Sequence, residues 1–412
     1  MYASVWPARS RHRRVSLPGV LLVTAALVLA ACSSNSSGSS SAPKTFVIGA
    51  ILPLSGPLAP IGHDAKAGLS AAVAKVNSEG GILGRKVVVN LQDDAGDPTK
   101  AALAAKELIA EKPNLIIPGA TSTELAATLP LTSQAKILTI AAPGSPLWNN
   151  VQKYPYHFQL IEPEANQSAA LVPAVKQVAP GVKTIGAISE DDASAPPYIA
   201  AIKQDFTAAD FKIADFETYA PDATNVTVQL QRLRNAGVKV IVVHALETEF
   251  LPVMDGLAQL NWTNVQVVGD ESSATGDLST VPASVASQYH GVAPAFLART
   301  GSTAPASANM FTRYGGLQAS LEVAYITYNI VIVDRWAVDA ANSTDTVKVA
   351  AALESLRSKK GGGPTGMLGY TDPKFSRTDH SLSAMGYKNF WGLLSVSPNI
   401  DGTKIGVPLR VN

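Results

Sequence analysis

Short apolar runs alternate with amphipathic segments along the chain from Thr45 onward. Runs such as FVIGAIL, KVVVNL, TIGAIS and VKVIVVHA have the length and the β-branched content of buried strands. Segments such as TKAALAAKELIAEK and PPYIAAIKQDFTAA lie between them and have the composition of helices. The first helix is predicted over Asp64–Asn77, where Leu69, Val73 and Val76 recur on one face. Continuous apolar strands separated by helices predict parallel sheets covered on both faces.

The number of these units predicts two lobes. A chain of 412 residues, with 46% hydrophobic and 16% charged residues, has an ordinary globular composition and is long enough for two cores. No internal repeat with a period of about 20 to 50 residues is found, which argues against a solenoid. We therefore predict an α/β fold of two doubly wound parallel-sheet lobes with a cleft between them.

The first 44 residues have the composition of an export signal followed by a flexible linker. A basic segment, ARSRHRR, precedes an apolar segment of about fifteen residues and then Cys32. That segment, at ~1.5 Å per residue, is too short for a ~30 Å hydrocarbon core, so we predict a signal peptide over residues 1–31. The residues Leu29, Ala30, Ala31 and Cys32 resemble a bacterial lipobox, which implies lipidation of Cys32. We expect the Ser-rich residues 32–44 to form a flexible linker that holds a globular body at a membrane surface outside the cytoplasm.

Two alternatives at the N-terminus stay open. Cys32 could follow a plain signal peptide by chance, and RRVSL faintly resembles a twin-arginine export motif. Cys32 is the only cysteine, which leaves no thiol for a disulfide, a catalytic nucleophile or a thiolate metal site in the body. The net charge is +1 and no basic patch with interleaved aromatic residues stands out, so nucleic acid is not expected as a partner.

The stretch GATST carries a ring of hydroxyl groups at a predicted strand-to-helix junction. Thr121, Ser122 and Thr123 follow an apolar run and precede the helix-forming ELAATL. A helix N-terminus offers unpaired N–H groups and a partial positive charge, so this loop suits an anion. The alternative is ordinary N-capping of the helix by Ser122 or Thr123.

Several short motifs occur in a fixed order over nearly all of the chain after the linker. IGAILPLSGP is followed by EGGILGRKVVV, DDAGDP, GATST, ILTIAAPGSP and VVGDES. In this order they resemble the extracytoplasmic solute-binding proteins of ABC transporters, in the leucine/isoleucine/valine-binding family. The resemblance implies the type I periplasmic-binding-protein fold, in which two hinged lobes close on an amino acid. It places one lobe at residues 45–163 plus 293–384 and the other at 164–292 plus 385–412.

The resemblance also implies a set of ligand contacts. Ser122, beside Thr121, falls where the family binds the ligand carboxylate through a hydroxyl and a backbone N–H. Pro143 falls where a backbone carbonyl receives the ammonium, and Ser145 where a threonine contacts both ends of the zwitterion. Glu271 falls on the acidic residue of the opposite lobe that pairs with the ammonium; the alternative is a solvated carboxylate beyond a strand.

Three pocket positions depart from the family pattern. Ser194 and Leu246 stand near positions where the family often has tyrosines, and Ile61 stands where an aromatic residue often walls the pocket. The resemblance therefore implies a cleft that is larger or more aliphatic, unless Trp148 or His244 fills it. Trp148 packing within its own loop and His244 as an ordinary core histidine are the alternatives.

The motifs of common enzymes are missing. The sequence contains neither G-x-S-x-G nor G-x-x-x-x-G-K-[ST], and its six histidines lack the paired spacing of a zinc site. The glycines at 361–366 resemble instead the family's turn before a late strand, MLGYTD. We therefore expect a binding protein without a cofactor or metal, not an enzyme. It would capture a small amino acid, most simply a branched-chain one, and deliver it to an ABC permease. A ligand-sensing lipoprotein that reports to a receptor, or a binder of amides or other carboxylates, is the alternative.

Overall fold

The computed structural model describes residues 45–246, 249–274, 278–294, 309–318, 320–356, 363–369, 374–382, 391–395 and 405–408. The predicted signal peptide, the lipobox with Cys32 and the linker lie outside the described residues. In the described part of the chain, every helix is too short or too polar to cross a membrane.

Five parallel strands form the first sheet, in the order β2-β1-β3-β4-β5. These strands are β1 (Thr45–Leu52), β2 (Lys86–Asp93), β3 (Leu115–Ile117), β4 (Thr139–Ala141) and β5 (His157–Gln159). The helices between them are α1 (Ala59–Ser78), α2 (Pro98–Ala110) and α3 (Ser122–Gln134). β1 lies between β2 and β3 and pairs in parallel with both.

Seven strands form the second sheet, in the order β12-β11-β10-β9-β8-β6-β7. They are β6 (Thr184–Glu190), β7 (Lys212–Tyr219), β8 (Val240–His244), β9 (Gln266–Gly269), β10 (Tyr289–Pro294), β11 (Trp391–Ser395) and β12 (Ile405–Pro408). The helices that precede or connect the parallel strands are α4 (Glu164–Val178), α5 (Ala195–Ala208), α6 (Thr227–Asn235), α7 (Leu251–Gln259) and α8 (Ala283–Ala286).

The parallel strands of both sheets follow the same winding. In each lobe the second strand in sequence lies at one edge, the first is next to it, and the third, fourth and fifth follow on the other side. This order has a switch point between the first and third strands, where the connections leave on opposite faces of the sheet. The predicted fold class of two doubly wound α/β lobes is confirmed. The two antiparallel strands β11 and β12 extend the second sheet and were not predicted.

Three local predictions need correction. β7 was missed because KIADFETY alternates apolar and polar positions, as suits an edge strand that is only partly buried. α1 begins at Ala59 rather than Asp64, since Pro60 occupies a favoured position in its first turn. The late strand predicted for MLGYTD is absent from its described residues, 367–369, which form a bend.

After β10 the chain returns to the first lobe. The long helix α9 (Leu321–Ala341) packs along α1, and α10 (Thr346–Glu354) follows it. A Cβ on Gly68 of α1 would lie 2.1 Å from the Ala324 carbonyl oxygen, so only glycine permits this close approach. The buried Asp64 carboxylate accepts the backbone N–H groups of Gln318 and Ser320 at 2.7 and 2.6 Å, which holds the start of α9 against α1.

α9 also carries an acidic side chain inside the core. Asp334 is 0% exposed, and neither carboxyl oxygen has a hydrogen-bond partner within the described residues. Burial raises the pKa of Asp334 to about 8, and the nearby Asp339 adds to the effect. The folded protein therefore keeps this carboxyl protonated at neutral pH.

We expect Asp334→Asn to make stability less dependent on pH. Below pH ~4 both the folded and the unfolded chain carry the proton on Asp334, so the group has no linked effect. Between pH ~4 and ~8 only the unfolded chain releases it, so the wild type loses up to about 1.4 kcal/mol of unfolding free energy per pH unit. Urea unfolding at pH 5 and pH 8 should show the variant gaining stability relative to the wild type at the higher pH. Parallel curves for the two proteins would contradict a buried titrating Asp334.

Candidate ligand-binding cleft

The carboxyl ends of parallel strands from both lobes border one cleft. On the first lobe these are the ends of β1, β3, β4 and β5, and on the second the ends of β6, β8 and β9. The cavity has a volume of about 100 Å³, below the ~300–1,000 Å³ of pockets for drug-sized ligands, so it suits a small molecule. Its walls are formed by Ile61, Ala120, Thr121, Ser122, Ala142, Pro143, Gly144, Ile161, Gln167, Glu190, Asp192, Ser194, His244, Leu246, Glu271, Ser272, Glu322, Val323 and Ile326.

The structure brings together seven of the eight ligand-binding residues suggested by the sequence. These are Ile61, Thr121, Ser122, Pro143, Ser194, Leu246 and Glu271. The exception is Ser145, which is 0% exposed and does not line the cavity. Trp148 does not reach the cavity either, because it packs beside the cluster of Leu125, Leu129, Ala141 and Tyr154. His244, by contrast, lines the wall.

The GATST loop is shaped by a capping box. Thr121 is the N-cap of α3 and accepts the Glu124 N–H, so neither Ser122 nor Thr123 is the cap. The Glu124 carboxylate accepts the backbone N–H groups of Ala120 and Thr121 at 2.6 and 3.0 Å. Within the described residues, the N–H groups of Ser122 and Thr123 have no acceptor. Of these two residues, Ser122 lines the cleft, so the loop brings its hydroxyl and its unpaired N–H to the site.

A buried acid lies behind this loop. Glu124 is 0% exposed, and burial, with a smaller contribution from Asp94, raises its pKa to about 8. Burial likewise raises the pKa of Asp94 to about 6. Protonation of Glu124 removes most of the negative charge that would otherwise repel an anion bound at Ser122.

The carbonyl group of Pro143 has a partner inside the lobe. The Gln159 side-chain Nε2 donates to the carbonyl oxygens of Pro143 and Ser145, at 2.6 and 2.9 Å. Gln159 thus holds the Pro143–Ser145 turn in shape. A ligand ammonium at Pro143 would use the second lone pair of that oxygen.

The second lobe contributes a linked set of polar side chains. Ser194 Oγ lies 3.0 Å from His244 Nε2, and His244 Nδ1 lies 2.5 Å from Asp270 Oδ2. The Tyr198 ring stacks on the imidazole with a centroid distance of 3.8 Å. This set contains the residue types of the Ser-His-Asp triad of hydrolases.

The hydrogen bonds around Ser194 indicate where its hydroxyl proton is directed. Ser194 Oγ has one proton, and Asp192 Oδ1 accepts it at 2.6 Å. The same Asp192 oxygen accepts two backbone N–H groups, from Ser194 and Ala195, so it acts as an acceptor. His244 Nε2 lies beside Ser194 Oγ, and His244 Nδ1 lies beside Asp270 Oδ2. Because the Ser194 proton is directed to Asp192, His244 does not accept it as a triad histidine does.

Two further acidic residues, Glu190 and Asp192, lie at the end of β6. Burial raises the pKa of Glu190 to about 9, and the neighbouring Glu249 adds to the shift. Glu190 also accepts the N–H of Leu246 at 3.1 Å. Glu190 is therefore neutral at pH 7.

Five polar wall residues were not predicted: Gln167, Glu190, Asp192, Ser272 and Glu322. Glu190 and Asp192 stand at the end of β6 in SEDD, and a rule that reads every strand end as a binding position would have found them. Gln167 and Glu322 lie in the first turns of α4 and α9. No motif marks these two positions. Within the described residues, no group of three or more His, Cys, Asp or Glu side chains is arranged to hold a metal.

Comparison with known proteins agrees with this geometry. The sequence profile described as "Periplasmic binding protein" matches residues 45–387, which is most of the chain. The chain belongs to the periplasmic binding protein family. Family members are solute-binding proteins that act outside the cytoplasm.

Relatives of this periplasmic binding protein give further detail. The Leu/Ile/Val-binding protein BraC3 of Rhizobium johnstonii is 43% identical over 77 residues, or 19% of this chain and 21% of that protein. The match thus spans about a fifth of the curated relative's length. A periplasmic binding protein type 1 from Bordetella pertussis Tohama I superposes with a TM-score of 0.77 at 19% identity, covering 88% of this chain and 100% of the other. The leucine-binding protein LivK of Thermotoga maritima superposes with a TM-score of 0.71 at 17% identity, covering 88% and 99%.

We expect Thr121→Ala to lower stability through loss of the helix cap. The substitution removes the oxygen that accepts the Glu124 N–H and should cost about 0.5–2 kcal/mol of unfolding free energy. Thr121→Ser keeps the oxygen and should stay within about 0.5 kcal/mol of the wild type. Chemical denaturation of the three proteins measures the difference. Equal losses in both variants would show that the threonine methyl group, not the cap, is what matters.

Proposed function

We propose that this periplasmic binding protein captures a small amino acid in the cleft and delivers it to an ABC permease. One observation carries the proposal: Ser122, in the first turn of α3, and Glu271 stand on opposite lobes and line the same small cavity. Hydroxyl and N–H donors suit a ligand carboxylate, and an acid suits its ammonium. A zwitterion is the simplest ligand that uses both.

The individual contacts are weak, so several must act together. A helix N-terminus contributes about 0.3–2 kcal/mol to anion binding, whereas micromolar affinity requires about 8 kcal/mol. Glu271 is 3% exposed and Ser122 is 6% exposed, so both contacts would form where water is largely excluded. The apolar wall residues Ile61, Leu246 and Ile326 would add the hydrophobic part of the affinity.

A hydrogen bond between the two lobes supports a closed form of the protein. The Ala193 N–H, at the end of β6, donates to Thr123 Oγ1 at 3.5 Å, and Thr123 lies in the first turn of α3. A ligand held at Ser122 would meet Glu271 only when the lobes are this close. Contacts from both lobes to one ligand stabilise the closed form, whose surface a permease can distinguish.

The names of relatives support the amino-acid class. BraC3 is a Leu/Ile/Val-binding protein and LivK is a leucine-binding protein. The lobe boundaries predicted above, at residues 45–163 plus 293–384 and 164–292 plus 385–412, belong to this proposal. So does a lipid anchor at Cys32, which would hold the protein at the outer face of the cell membrane beside its permease.

We expect Ser122→Ala and Glu271→Gln each to weaken amino-acid binding by ~10-fold or more. A buried hydrogen bond to a charged group contributes about 1.5–3 kcal/mol, which corresponds to this factor. Calorimetric titration with a panel of amino acids, amides and simple carboxylates should show binding that requires both an amine and a carboxylate.

Glu107→Gln provides the matched control. Glu107 is exposed on α2 and does not line the cleft, so the same change of charge there should leave affinity unaltered. Tight binding of amides or amine-free carboxylates alone would contradict the role given to Glu271. An unchanged affinity in Ser122→Ala would contradict the carboxylate site at the start of α3.

A further inference from the structure

We propose that the cleft selects a dibasic amino acid, which carries a second ammonium or guanidinium group at the end of its side chain. This inference rests on the proposed function, because it assumes that Ser122 and Glu271 hold the α-carboxylate and α-ammonium. It differs from the simplest expectation of an aliphatic ligand, which the family resemblance suggests.

Acidic side chains predominate among the charged residues that line the cleft. Four carboxyl groups line it, those of Asp192, Glu271, Glu322 and the neutral Glu190. Within the described residues, no lysine or arginine lines it, and the imidazole of His244 is hydrogen-bonded to Asp270. A zwitterion has no net charge, so its binding leaves the negative charge of the walls unchanged. A second positive charge on the ligand reduces the net negative charge of the occupied cleft.

The acids are distributed over both lobes and not only around Glu271. Glu190 and Asp192 follow β6, whereas Glu322 lies in the first turn of α9 on the first lobe. Glu322 is 4% exposed and is followed along the wall by Val323 and Ile326. Aliphatic walls beside a carboxyl group suit a methylene chain that ends in a cation. Leucine would instead place only methyl groups against these acids.

The side chain of Gln167 independently indicates a hydrogen-bond donor on the ligand. Gln167 lines the cleft and is 3% exposed, and its Oε1 has no hydrogen-bond partner within the described residues. The Nε2 of the same side chain donates to the Glu162 carbonyl oxygen at 3.1 Å, which fixes the orientation of the amide. Oε1 is therefore an acceptor left for a ligand N–H group. An aliphatic side chain has no N–H to offer, whereas an ammonium has three and a guanidinium five.

Lysine and norleucine provide a matched pair of ligands for the test. The two differ only in the terminal ammonium, so their affinity ratio isolates the second positive charge. We expect calorimetry to show that lysine or ornithine binds at least ~10-fold more tightly than norleucine. The preference should shrink modestly between 20 mM and 500 mM NaCl, because salt screens the long-range attraction of the cationic ligand to the acidic cleft.

Two variants locate the acid that is responsible. Glu322→Gln should lower lysine affinity by ~10-fold and leave norleucine affinity within about threefold. Glu271→Gln should weaken both ligands alike, since both carry the α-ammonium. Thermal melts confirm that each variant is folded, and the ligand ratio on the wild-type protein remains decisive if one is not.

The possible results separate this inference from the proposed function. If norleucine or leucine binds as tightly as lysine, the second cationic site is wrong and the proposed amino-acid binding stands. If neither lysine nor norleucine binds, the proposed function is wrong and this inference is overturned with it. A lysine preference that persists unchanged in both Glu322→Gln and high salt would contradict the acidic walls as its cause.

Discussion

The structure depends on one constraint of parallel sheets: the end of each strand and the start of the next helix lie at the same edge. Here two sheets with the same winding present these edges to each other across a cleft. Loop residues that lie far apart in the sequence, such as Ser122 and Glu271, thereby line one cavity. The unpaired N–H of Ser122, at the start of α3, belongs to the same site. The buried strands and α9 behind the site provide the rigid support on which those loops are held.

Sequence patterns were sufficient for the parts of the molecule that repeat. Buried strands such as β8, VIVVH, are apolar on both faces and were found directly, as were the strand-to-helix loops that follow them. β7 was missed because it is an edge strand whose alternating pattern is weaker. The pairing of β11 with β10 joins segments about 100 residues apart, and no local pattern encodes such a contact.

The candidate site likewise contains residues that the sequence suggested and residues that it did not. Ser194, Leu246 and Glu271 were suggested by resemblance to the family's motifs, and each follows a strand whose carboxyl end borders the cleft. Ser145 does not line the cavity: Gln159 holds the Pro143–Ser145 turn while the serine side chain is buried, and that contact joins two separate loops. Gln167 and Glu322 enter from helices whose approach to the cleft depends on packing between elements, which sequence spacing does not show.

The two lobes make chemically different contributions, and this difference bears on how ligand binding would drive closure. The first lobe offers the neutral donor Ser122 together with the single acid Glu322, whereas the second offers Asp192, Glu271 and the neutral Glu190. Bringing these acids into a small cavity removes water from them, and this desolvation opposes closure when no cation is present. A ligand cation between the lobes offsets the cost and is itself stabilised by the low polarity of the closed site. The acidic walls would therefore favour the open form without ligand and the closed form with it, which is the population shift that a transport cycle requires.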